Sequence, residues 1–157
     1  MEPDKSRELK AVLEALEEPP PMTLDEALAS ADPVSEIARR IGRRGVAEMS
    51  APEKVFWSVA YFVGAVTNGG LEEALEGEGA ALVGLVAEFA RRYGSPEVRD
   101  LMADVSAAAG QDDPDCLDVL TERFFEHEEA FAEALVALAS SNRGAFDLAA
   151  PGTGKGG

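Results

Sequence analysis

The longest apolar stretch in the chain runs from Val55 to Val66, between Lys54 and Asn68. A helix that crosses a bilayer needs about 20 apolar residues, so this shorter run reads as a buried helix. Ser50-Ala51-Pro52-Glu53 in front of it is a capping box with an early proline. Asn68-Gly69-Gly70 behind it is a stop. Val55, Phe56, Trp57, Val59, Tyr61, Phe62, Val63 and Val66 leave almost no polar face, and a helix apolar all round is normally central to its fold. The β-branched residues would also suit a strand, but the cap and the length of the run favour helix. Whatever else the chain does, it must cover this one segment.

The covering pieces also read as helices. Leu9, Val12, Leu13 and Leu16 have helical spacing before Pro19-Pro20-Pro21. Thr23 with Glu26 is a second capping box, and Asp32-Pro33 opens a helix whose buried stripe is Val34, Ile37, Ala38 and Ile41. Leu71 to Glu78 is a short acidic segment. Ala80 to Tyr93 is a helix closed by Gly94. Ser95-Pro96-Glu97 starts another, with Val98, Leu101, Met102 and Val105 inward, and Asp113-Pro114 opens a long one from Asp115 to about Asn142. The expected fold is all-α, a single-domain helical bundle of about seven or eight helices. Residues 1–22 read as an N-terminal helix and Pro-rich linker, 23–148 as the helical domain, and 149–157 as a flexible Gly-rich tail.

Charge is the second strong signal. The 157 residues carry 14 Lys plus Arg against 30 Asp plus Glu, a net charge of −16. Such a chain repels phosphates, which argues against direct nucleic-acid binding and against anionic membranes. Half of the excess lies in residues 101–157. In the expected long helix, Leu117, Leu120, Phe124, His127, Phe131, Ala134 and Leu138 form a packing seam. Asp115, Asp118, Glu122, Glu126, Glu129 and Glu133 recur at the same mean spacing on another face. In one unbroken helix this stripe extends for roughly 27 Å. Duplex DNA carries a phosphate per about 3.4 Å on each strand, so a second acidic row is needed to approach its field. Glu72, Glu73, Glu76 and Glu78 are the candidates for that row. A solvated helix face gives the same pattern, and the sharper reading is an anionic surface that attracts a basic partner. Arg39, Arg40, Arg43 and Arg44 form the strong basic cluster, at a helix C-terminus where the dipole and intramolecular salt bridges account for them.

Catalytic chemistry finds little footing. One Cys precludes an internal disulfide and a Cys-based zinc site. The single His127 has Phe at position 124, so no Glu-x-x-His pattern exists, and it reads as a satisfied core or boundary histidine. Cys116 sits among Asp113, Asp115 and Asp118, which disfavour a thiolate. Gly152-Thr153-Gly154-Lys155 lacks the first glycine, the Ser or Thr and the following helix of a phosphate-binding loop. No cofactor and no metal is expected. Met1 to Lys10 shows no signal-peptide core, so the expected compartment is the cytoplasm.

Around residues 50–148 the chain resembles a bacterial family of small acidic helical proteins whose namesake is a DNA mimic. Glu53-Lys54-Val55-Phe56-Trp57, the apolar helix and Asn68-Gly69-Gly70-Leu71 carry the resemblance, with Leu117 to Phe146, Phe124-Phe125 and Asn142-Arg143 behind them. Glu73, Ala74 and Leu75 stand where the family pattern has Gln and paired aromatics, which marks a divergent member. The resemblance implies a non-enzymatic regulator, often dimeric, whose carboxylates replace phosphates in the basic groove of a transcription factor or other DNA-binding protein. The competing expectation is an interaction or immunity-type module with an apolar groove near Asn68–Leu75, its acidity serving solubility. A hydrolase using paired carboxylates or a metal ranks last.

Overall fold

The computed structural model describes residues 22–111 and 113–148. The helix expected over Leu9 to Leu16, its proline stop and the Gly-rich tail lie outside the described residues. Within them the chain is all-helical: α1 Leu24–Leu28, α2 Pro33–Arg43, α3 Ala51–Glu76, α4 Gly79–Tyr93, α5 Pro96–Ala109, α6 Pro114–Glu126 and α7 Glu128–Ser141. Short 3-10 turns cover Val46–Glu48 and Arg143–Ala145. The seven helices form one helical domain.

The N-termini follow from local chemistry. Thr23 and Ser50 close complete capping boxes with Glu26 and Glu53. Asp32, Ser95 and Asp113 each accept the backbone N–H three residues on and precede a proline at the first helical position. These caps satisfy N–H groups that a helix start otherwise leaves open.

The central position expected for the apolar helix is what the packing shows. α3 contacts α2, α4, α6 and α7, and its Phe56, Val59, Phe62 and Val66 are fully buried. Phe56 meets Phe146 edge-on at 5.7 Å, and Phe62 lies 5.9 Å from Phe124. One face of α3 still reaches solvent, because Tyr61 is 47% exposed.

Glu53 and Arg40 are the buried charged side chains among the described residues, and Glu53 is the deeper, a carboxylate only 1% exposed. Its Oε1 accepts the Ser50 N–H at 2.9 Å, and its Oε2 accepts the Asp147 N–H at 3.1 Å. Arg44, at the end of α2, pairs with the same Oε2. Beside it the Ser50 hydroxyl donates to the Ala145 carbonyl at 2.8 Å. A residue that reads locally as part of a cap therefore clasps α2, α3 and the segment after α7.

The long helix expected from Asp115 to Asn142 is instead two helices. His127 has φ −118° and ψ 19°, and the chain turns there from α6 into α7. The rings of Phe124 and Phe131 stack at 4.7 Å with 13° between their planes. In an unbroken helix these residues stand about 10.5 Å apart along the axis. The stack and the break thus go together, and burial of both rings favours them over continued helix. The seam survives, since Leu117, Leu120, Phe124, Phe131, Ala134 and Leu138 are all buried. The acidic stripe does not survive as one straight line: Asp115, Asp118, Glu122 and Glu126 belong to α6, Glu129 and Glu133 to α7.

Candidate protein-interaction surface

The Asn68-Gly69-Gly70 segment stops the first helical stretch of α3, as expected, and a second stretch follows directly across a kink. Gly70 adopts φ 86° and ψ 165° inside the helix, a region open essentially to glycine alone. The bend redirects Leu71–Glu76 toward α6. There the Leu71 N–H donates to Thr121 Oγ1 at 2.8 Å, and the Thr121 hydroxyl donates to the Leu117 carbonyl at 2.8 Å. Thr121 thus caps a helix segment 50 positions earlier in the chain. Nothing in its own sequence neighbourhood announces that role. Gly69 serves differently: a Cβ there would stand 2.5 Å from the Glu73 carboxylate, which folds back over it. Gly70→Ala is expected to cost about 1–3 kcal/mol of stability, read as a lower urea midpoint. An unchanged midpoint contradicts the strained geometry.

Two hollows flank this bend. One, of about 350 Å³, is lined by Gly69, Gly70, Leu71, Glu72, Glu73, Glu76, Asp118 and Thr121. It joins residues of the two acidic groups that the sequence keeps apart, Glu72, Glu73 and Glu76 from beyond the bend and Asp118 from α6. The other, of about 470 Å³, lies along α3 and the start of α4, with Tyr61, Asn68, Glu73 and Glu78 on its walls. Glu73 borders both. Residues of the Asn68–Leu75 span, where an apolar groove was expected, are shared between the two hollows, Gly69 to Glu73 in the first and Asn68, Glu73 and Ala74 in the second.

All ten candidate carboxylates are exposed: Glu72, Glu73, Glu76, Glu78, Asp115, Asp118, Glu122, Glu126, Glu129 and Glu133. Asp115, Glu122 and Glu126 share α6 with Asp118 but line neither hollow. Glu129 and Glu133 stand on α7, apart from both.

None of the ten pairs with a described residue, while seven arginines pair elsewhere. Arg39 and Arg40 take Glu36, Arg44 takes Glu53, Arg91 and Arg92 take Glu88, Arg123 takes Asp104 and Arg143 takes Asp25. This includes three members of the Arg39–Arg44 cluster, as the salt-bridge reading expects. Glu88 is held below the ordinary carboxylate range by bonds from Arg91 and then Arg92, and Arg91 is raised by the same bond. Glu97 is lowered by its own backbone N–H, then by Ser95, with a smaller contribution from His127.

Among the described residues no group of three or more His, Cys, Asp or Glu side chains could hold a metal ion. His127 is half-buried at the α6–α7 break, and Cys116 is a half-buried free thiol beside the Asp113 cap. No described helix is long and apolar enough to cross a membrane. Large apolar side chains do reach the surface next to the acids, with Val119 61% and Phe125 49% exposed on α6.

Neither the curated proteins nor the solved structures contain a match to the chain. A family model does match it, that of the DMP19-like protein, over residues 47–144. This span runs from the turn before α3 to the turn after α7, taking in both hollows and all ten candidate carboxylates. With more than half of its length matched, the chain belongs to the DMP19-like family.

Proposed function

We propose that this protein is a non-enzymatic regulator that binds a basic, DNA-binding protein by presenting carboxylates where that partner meets phosphates. The observation that carries the reading is the division of charge. Seven arginines are tied to carboxylates outside the candidate surface, and the ten surface carboxylates are exposed and pair with no described residue. Family membership supports the same reading, since the namesake is a DNA mimic. The bend at Gly70 supports it further, since Glu72, Glu73 and Glu76 beyond it line one hollow together with Asp118 of α6. Attraction of this kind speeds association and weakens as salt screens it.

The test is a pull-down of basic proteins from extract of the source cell at low and at high salt. It is followed by competition between this protein and duplex DNA for whatever is recovered. Recovery at low salt, loss at high salt and displacement of DNA are expected. The variant with Glu72→Gln, Glu73→Gln, Glu76→Gln and Asp118→Asn should recover several-fold less. If no basic protein is recovered at low salt, or the neutralised variant binds as well, the reading fails.

The competing interaction-module reading draws on the second hollow, which does lie at Asn68. Partner binding unchanged by Glu122→Lys with Glu129→Lys would favour it.

A further inference from the structure

The second hollow differs from the rest of the acidic surface in chemistry as well as shape. It is concave and about 470 Å³ in volume, within the range of sites that enclose a small group. Its floor is made of small residues, and around Gly64 nothing lies within 4 Å of where a Cβ would stand. Tyr61 borders it, a large aromatic left 47% exposed on a helix whose other large rings are mostly covered. Glu73 reaches the lip with its carboxylate folded over Gly69. Glu78 stands at the N-cap of α4 yet makes no side-chain capping bond, so its carboxylate is not spent on the helix. The Asn68 amide is exposed and forms no hydrogen bond to a described residue. No lysine or arginine lines the hollow.

We propose that this hollow receives an arginine side chain of the basic partner. An aromatic face, two unpaired carboxylates and an amide oxygen around a small-residue floor suit a flat cation on an apolar stem. A guanidinium can stack on Tyr61 while its N–H fork donates to Glu73, Glu78 and the Asn68 oxygen. Lysine offers a compact, strongly hydrated ammonium that neither stacks nor forks. An apolar side chain would strip water from these polar groups and give nothing back. The inference rests on the proposed function and sharpens it: a surface that only imitates phosphate charge treats the two basic residues alike, whereas this hollow distinguishes them.

The test uses two fluorescently labelled nonapeptides of equal charge, one arginine-rich and one lysine-rich, titrated with the full chain by fluorescence anisotropy. The arginine peptide is expected to bind about threefold to tenfold more tightly. Tyr61→Leu and, separately, Glu73→Gln should each shrink that ratio toward one. Glu122→Gln, outside the hollow, should weaken both peptides and keep the ratio. Circular dichroism checks that each variant is folded, and Glu73→Gln carries the test if Tyr61→Leu is not. Equal binding of the two peptides, or a ratio that persists in both hollow variants, overturns the arginine site and leaves the acidic-surface reading standing. Binding of neither peptide at low salt overturns both.

Discussion

Glu53→Ala is expected to destabilise the protein by about 3–5 kcal/mol, the usual cost of leaving one partner of a buried ion pair alone. The geometry argues for the full amount. Removing the carboxylate strands the Arg44 guanidinium, which is mostly buried, and deprives the Ser50 and Asp147 N–H groups of their acceptor. Unsatisfied buried donors each add to the cost. Equilibrium urea unfolding measures the loss. Glu53→Leu combined with Arg44→Met should be markedly milder than Glu53→Ala, because it removes both charges and lets apolar groups fill the space. A loss below about 1 kcal/mol, within the range of exposed pairs, would show that Glu53 is solvated in solution.

Phe124→Ala is expected to cost a similar amount, about 3–5 kcal/mol. Phe124 is fully buried, stacks on Phe131 and touches Phe62 of the central helix. Its loss leaves a cavity at the corner where α6 turns into α7. The effect should extend beyond stability, because this corner sets the direction of Glu129 and Glu133 relative to Asp115, Asp118, Glu122 and Glu126. Phe124→Leu refills much of the volume but cannot stack, so it isolates the ring contact, worth about 0.5–1.5 kcal/mol. If Phe124→Ala unfolds at the same urea concentration as the parent, the corner is not packed as described.

Local signals account for most of what could be read in advance. Every helix start marked by Thr23, Asp32, Ser50, Ser95 or Asp113 appears where its cap places it, with a proline behind the cap in all but the first. Such signals act within a few residues, so one sequence suffices to find them. The turn at His127 escaped because Phe124-Phe125-Glu126-His127 contains no glycine or proline, and the apolar spacing of three and four continues across it. It is fixed by a ring stack, a tertiary contact. The same holds for the surface. The ten carboxylates were visible as charges, but the hollow that joins Glu72, Glu73 and Glu76 to Asp118 depends on Leu71 meeting Thr121 across 50 positions. Tyr61 counted as core by composition, and only the packing of neighbouring helices shows it reaching water.

The clasp at Glu53 also has a consequence for synthesis. Glu53 is translated 94 positions before the Asp147 amide it binds. While α3 to α6 leave the ribosome, this carboxylate and Arg44 lack their last backbone partner, and Phe56 lacks the ring of Phe146. Contacts so distant in sequence form late and as a unit. A nascent chain halted before position 147 therefore lacks the last tie of this clasp, and the domain is complete only once that residue emerges.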